Sequence, residues 1–159
     1  MGAKREIKAT WADPRSFFAV ALPSMVEAKP CSLINFQFHW KEVGDTYDIP
    51  TLDETEQEIK RIIATVVPTG TVLAQPLLAD YWAAIACDLE TAMSVATMVI
   101  GKVTEDPLQT TNYPVRVSLA AGVASSKDRP SAAHLVHNAL WLALEAAPHK
   151  THKVASFRR

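Results

Sequence analysis

The chain has 159 residues, 48% hydrophobic and 21% charged, which suffices for one domain with a proper core and excludes a disordered composition. Sixteen Lys and Arg against seventeen Asp and Glu leave a formal charge of -1, so no net field favours nucleic acid. Apolar runs break at charge or proline well short of the ~18 residues needed to span a membrane. The opening Met1-Gly2-Ala3-Lys4-Arg5 has no apolar stretch behind it, so it does not read as a secretory signal or a lipidation site. Residues 1–9 read as a basic lead-in or linker stump ahead of a single domain spanning 10–157. Cys31 and Cys87 sit in apolar segments and read as buried thiols of a cytoplasmic protein. Five isolated glycines exclude a Gly-rich phosphate loop.

Residues 10–28 read as a helix, with Asp13 or Ser16 as cap, Pro14 in the first turn and Pro23 as a bend or an end. Cys31 to Trp40 alternates Ile34, Phe36, Phe38 and Trp40 against Asn35, Gln37 and His39, the period of a strand. A loop with Gly44 and Pro50 leads to Thr51-Leu52-Asp53-Glu54, which resembles a capping box, with Glu56 and Glu58 also placed near the helix start. Ile59, Ile62, Ile63 and Val66 give that helix its buried stripe. Thr71–Ala74 and Tyr81–Cys87 predict two short strands around a turn near Leu78-Ala79-Asp80. Asp88 can cap a third helix with Ala92, Val95, Ala96 and Val99 inward. Tyr113–Ala124 predicts another strand, Ser131–Ala147 a helix built on Leu135, Val136, Ala139, Leu140 and Ala143, and Lys153–Phe157 a closing strand. Interleaved helices with an adjacent strand pair predict an α+β fold, a mixed sheet with helices packed across it.

Four segments together resemble a known family. Phe36-Gln37-Phe38-His39-Trp40-Lys41-Glu42-Val43-Gly44-Asp45 is similar to the D-x-D-x-F-K-x-x-N-D of the bacterial GGDEF domains, the diguanylate cyclases. Leu78-Ala79-Asp80-Tyr81-Trp82 resembles their G-G-D-E-F turn. Val117-Ser118-Leu119-Ala120-Ala121-Gly122-Val123-Ala124 resembles their v-S-x-S-x-G-v-A strand, and Ala139-Leu140-Trp141-Leu142-Ala143 their A-L-Y-x-A helix. The resemblance implies a palm-like, nucleotide-cyclase (ferredoxin-like) mixed and largely antiparallel sheet flanked by helices. Active members join two GTP molecules into cyclic di-GMP in a head-to-head pair, using divalent metals gathered by carboxylates.

Set against that pattern, the residues imply a degenerate domain. Direct alignment puts Phe36 and Phe38 at the two Asp positions. A one-residue shift, favoured by the alternation, instead turns the amides of Asn35 and Gln37 to the site, and neither register supplies a carboxylate. At the signature turn Asp80 is retained, its acidic neighbour is Tyr81, and the two glycines are Leu78 and Ala79; Leu78 is expected to crowd the pocket and resist positive φ. Trp82 takes the place of the family's core Phe. The phosphate-neutralising lysine after the last motif is Leu144, and the guanine-reading Asn is Gly44. Lys41, Asp45, Asp53 and Asp80 are the survivors of a vestigial nucleotide site. Thr69 and Val72 stand where the R-x-x-D product site would be, so the bidentate Arg is missing and cyclic di-GMP binding there is not expected.

The remaining constellations read as bland. His134 and His137, three apart on a helix, and His149 and His152 lack a third metal ligand. Ser125-Ser126 lacks a nucleophile elbow. Lys150 to Lys153 and Arg158-Arg159 read as a solvated tail. Tyr81 is expected to point outward and make partner contact. The expectation is therefore no catalytic residue, metal or cofactor, no nucleic acid and no membrane insertion. The domain would serve regulation or protein interaction, self-association included. The alternative is a sensor holding a guanine nucleotide through Lys41, Asp53 and Asp80 without turnover.

Overall fold

The structure is a computed structural model that describes residues 9–127, 131–147 and 153–156. A short strand, β1 (Ala9–Trp11), precedes the first helical segment, where the sequence predicts helix from residue 10. Asp13 then caps α1 (Pro14–Ser16), its carboxylate accepting from the Ser16 N–H at 3.1 Å. The helix does not stop at Pro23. A π-helical stretch, Phe17–Ala21, runs directly into α2 (Leu22–Ala28), with Leu22 N–H bonded back to Phe17. The wider turn sits just where the Pro23 ring would otherwise meet the preceding carbonyl ladder.

Strand β2 (Ser32–Phe38) ends two residues earlier than its alternation suggests. Trp40 instead opens a short helix, α3 (Trp40–Thr46), and is 44% exposed. Helix α4 (Ile49–Val66) begins ahead of the expected capping box. Asp48 is its cap, bonded to Thr51 N–H at 2.9 Å, with Pro50 in the first turn. That bond holds the Asp48 carboxyl below its usual range.

Next comes a hairpin, β3 (Thr71–Leu77) and β4 (Asp80–Ile85), longer than predicted on its first arm. Its register shifts between Ala74 and Leu77, across Pro76, which has no N–H to give a ladder. Asp88 caps α5 (Leu89–Thr104) through Thr91 N–H at 2.8 Å, as its sequence position predicts. The predicted strand 113–124 is divided. Its front pairs as β6 (Pro114–Val115) with β5 (Leu108–Gln109) in a separate two-stranded ribbon, and its remainder is β7 (Leu119–Ser125). Helix α6 (Ala132–Ala146), capped by Ser131, and edge strand β8 (Val154–Ser156) complete the described chain. Phe157, His149, His152 and the terminal arginines lie outside the described residues.

The main sheet runs β1-β3-β4-β2-β7-β8, with antiparallel pairing inside and a parallel strand at each edge. Strand parity assigns the two layers. Ile34, Phe36 and Phe38 face Ile59, Ile63, Ala96 and Val99 of α4 and α5, while Leu33 joins Phe17, Leu22, Leu135 and Ala139 on the opposite face. Cys31 is buried, and burial pushes its thiol up to about 11; Cys87 is only half-buried, against the expectation for it. No helix among the described residues is long and apolar enough to cross a membrane.

Helix α6 lies almost on the backbone of β7. A Cβ at Gly122 would stand 2.0 Å from the Ala139 carbonyl oxygen and 2.3 Å from the Ala143 nitrogen, neither of which can rotate away. Gly122→Ala should therefore lose ~3 kcal/mol or more of stability in urea denaturation. Gly101→Ala, in open space on α5, should gain about 0.5–1 kcal/mol in the same assay.

Candidate functional site

The signature turn joins β3 to β4 at Leu78-Ala79, with Leu77 paired to Asp80 across it. The positive φ falls on Ala79, at 61°, not on Leu78. Leu77 and Leu78 project outward, 70% and 48% exposed, so Leu78 extends from the turn and does not fill a pocket.

From Asp80 onward the alternation of β4 sends Asp80 and Trp82 to one face and Tyr81 to the other. Tyr81 is therefore not an outward contact residue. It is fully buried beneath α4, where its hydroxyl donates to Glu56 Oε1 at 3.0 Å. Trp11 of β1 packs edge-on against its ring, and the Lys60 ammonium sits 4.7 Å above the Trp11 ring. Burial, then the neighbouring Glu56 charge, drives the Tyr81 phenol far above its ordinary value. The partner role expected for Tyr81 fails on strand parity alone.

Glu56 lies in the interior of α4, well past the helix start where the run of acids around it predicts it. It is not a first-turn acid. With α4 starting at Ile49, Glu56 lies on the same face as Ile59 and Ile63 and is 7% exposed. Its Oε1 accepts from Gln75 Nε2 at 2.6 Å, Ala79 N–H at 2.9 Å and the Tyr81 hydroxyl. The signal available in sequence was the spacing of Glu56 to Ile59 and Ile63, which is that of a single helix face.

On the opposite face the amides gather around Asp80. Asn35 Nδ2 and Gln37 Nε2 each donate to Asp80 Oδ1 at 2.7 Å. Gln37 Nε2 also reaches Asn35 Oδ1 at 2.8 Å, and Asn35 Nδ2 reaches the Tyr81 carbonyl at 3.3 Å. Phe36 and Phe38 lie in the core. The side chains that meet Asp80 are thus those of the shifted register, although Asn35 is itself fully buried. Trp82, 3% exposed, packs edge-on with Phe18, and its Nε1 has no hydrogen-bond partner among the described residues.

The other survivors stand apart from this cluster. Lys41 and Asp45 are exposed on α3 and Asp53 is exposed on α4. Among the described residues the ion pair is Arg61 with Glu58, and no bond joins Lys41, Asp45 or Asp53 to Asp80. A cleft of about 440 Å³ beside α3 is lined by Glu42, Thr46, Tyr47, Pro114 and Arg116, and includes none of the four. Leu144 is exposed on α6, and Gly44 has the Trp40 ring 3.5 Å from where a Cβ would be. Thr69 is exposed in the turn before β3 and Val72 is half-buried within it. His134 Nδ1 bonds Ser131 at the α6 cap, and Ser126 Oγ accepts from Cys31 N–H. No three His, Cys, Asp or Glu side chains converge among the described residues. A divalent cation needs converging oxygen lone pairs, whereas here amide N–H groups point at the one carboxylate; this donor set does not fit one.

Removing the Glu56 carboxylate orphans buried donors, so Glu56→Ala should lose ~3 kcal/mol or more in urea denaturation and Tyr81→Phe about 1–2 kcal/mol. The pH dependence has a definite sign. Folding holds the Tyr81 proton more tightly than the unfolded chain, whose phenol titrates near 10, so stability is full below 10 and falls above it. Each pH unit above 10 should cost the wild type about 1.4 kcal/mol more than Tyr81→Phe, read from denaturation at pH 9–11.

No protein-family model and no curated protein matches the chain. Solved structures do. The GGDEF domain of YfiN (TpbB) from Pseudomonas aeruginosa superposes with a TM-score of 0.83 at 17% identity, covering 91% of this chain and 96% of that one. An active GGEEF domain of a diguanylate cyclase from Vibrio cholerae gives 0.81 at 16%, over 94% and 99%. The GGDEF domain of DgcB from Caulobacter crescentus, solved in complex with c-di-GMP, gives 0.82 at 13%, over 98% of each chain. Superposition over nearly the whole length of each shows one architecture: the chain has the fold of a GGDEF domain.

Proposed function

We propose that this chain is a GGDEF-fold domain without cyclase turnover, serving as a regulatory or protein-interaction module in bacterial signalling related to cyclic di-GMP. The observation that carries the reading is the state of Asp80. It is the acidic residue at the signature turn, and its Oδ1 is held by the Asn35 and Gln37 amides. Joining two GTP molecules requires charge to be neutralised on an α-phosphate while a 3′ hydroxyl is activated. A carboxylate faced by two N–H donors presents no converging oxygens to gather a metal for that step. Leu144 and Gly44, in place of the family's lysine and asparagine, remove further phosphate and guanine contacts.

What the turn does present is apolar. Leu77 and Leu78 project from a hairpin pinned from both faces, by Glu56 on one and by Asn35 and Gln37 on the other. The partner-facing role expected of Tyr81 falls instead to these two leucines, and aliphatic side chains on a fixed turn suit protein contact.

Purified protein with GTP and Mg²⁺ or Mn²⁺ should form no cyclic dinucleotide above a no-enzyme blank, as followed by chromatography. Clear turnover would refute the reading. Calorimetry with GTP, GDP and cyclic di-GMP should be silent; binding lost in Asp53→Ala would replace it with the nucleotide-sensor reading. Leu77→Ser/Leu78→Ser should keep the fold while losing a partner retained by the wild type in pull-downs from the source cell.

A further inference from the structure

We infer that the amides of Asn35 and Gln37 on β2 stand in for a divalent cation beside the β3–β4 turn, making Asp80 a structural acceptor that joins β2 to β4. The inference deepens the proposed function and rests on it.

A cation beside a carboxylate offers it positive charge from a fixed direction. Here two N–H dipoles do so, both at 2.7 Å from Asp80 Oδ1. Their orientation is dictated by their surroundings. Turning either amide over would set its carbonyl oxygen 2.7 Å from a carboxylate oxygen, acceptor against acceptor. Turning Gln37 would also set its oxygen against Asn35 Oδ1, now 2.8 Å from Nε2. The Asn35 carbonyl, the next oxygen a cation would seek, is thus already taken.

Burial reinforces this. Asn35 is fully enclosed between its neighbours Trp82 on β4 and Gly122 on β7, and Asn35 Nδ2 also reaches the Tyr81 carbonyl. A cation would have to break four bonds at once, and it would receive one carboxylate and two neutral amides in return. Mg²⁺ in particular sheds water reluctantly for so little charge. The same geometry means that exchanging the amides for carboxylates would gather three acids where the N–H groups now meet Asp80.

The test uses Mn²⁺ as probe, with bound ion read by electron paramagnetic resonance and stability by thermal melting. Wild type should show no bound Mn²⁺ and the same melting temperature with and without it. Asn35→Asp/Gln37→Glu should melt lower without metal and rise by roughly 5–10 °C at Mn²⁺ about a hundredfold above its dissociation constant. Gln37→Glu alone, which leaves buried Asn35 in place, should show a smaller saturable rise and serves if the double variant does not fold. Saturable Mn²⁺ binding by wild type that Asp80→Asn abolishes would overturn the inference, as would a folded variant that ignores Mn²⁺. Binding by wild type without nucleotide turnover would leave the proposed function standing, whereas turnover would remove both.

Discussion

The carboxylate of Glu56 lies inside an apolar layer, and its Oε1 is matched by three neutral donors. Burying a carboxyl group is costly unless it finds hydrogen-bond donors, and here the donors come from strand, turn and ring. Gln75 belongs to β3, Ala79 to the turn and Tyr81 to β4, so one oxygen fixes the whole hairpin to α4. Ala79 can hold its left-handed backbone because its N–H is committed to that oxygen. The placement of Glu56 depends in turn on Asp48, whose cap sets where α4 begins and therefore which side faces the sheet.

The hairpin is consequently held by different chemistry on its two faces. Beneath α4 it is a buried acid with a phenol and an amide; on the other face it is a half-buried acid with two amides. Neither arrangement leaves a carboxylate oxygen pair open in the manner a metal requires. Apolar packing of Phe36 and Phe38 against α4 and α5 locks the strand register that separates the two sets, since a slip of one residue would exchange them.

Much of this was legible in the sequence wherever periodicity or capping decided the outcome. Alternation gave β2 and the inward set Ile34, Phe36 and Phe38, and Asp88 marked the start of α5. The four ordered segments resembling the family pointed to the fold. What failed did so for local physical reasons. Trp40 continued the alternation but fell beyond the last ladder bond, so it opened a helix. Glu56 looked like one of a run of first-turn acids because Thr51 mimicked a cap that Asp48 supplies. Substitution for a charged residue predicts Tyr81 at the surface, although parity with Trp82 requires the reverse. Strand β1 was invisible because three residues carry no period.

The close approach of β7 and α6 at Gly122 has a mechanical side. Main chain rests on main chain there, with no side chain between them whose rotation could absorb a displacement. Trp141 and Leu144 stand exposed on the outside of α6, so a load applied to them passes directly into β7. From β7 it reaches β2, which is paired to it at every position from Ser32 to Phe38, and so arrives at the strand bearing Asn35 and Gln37. The outer surface of the helix and the polar knot at the turn form a single stiff transmission, with little slack between its ends.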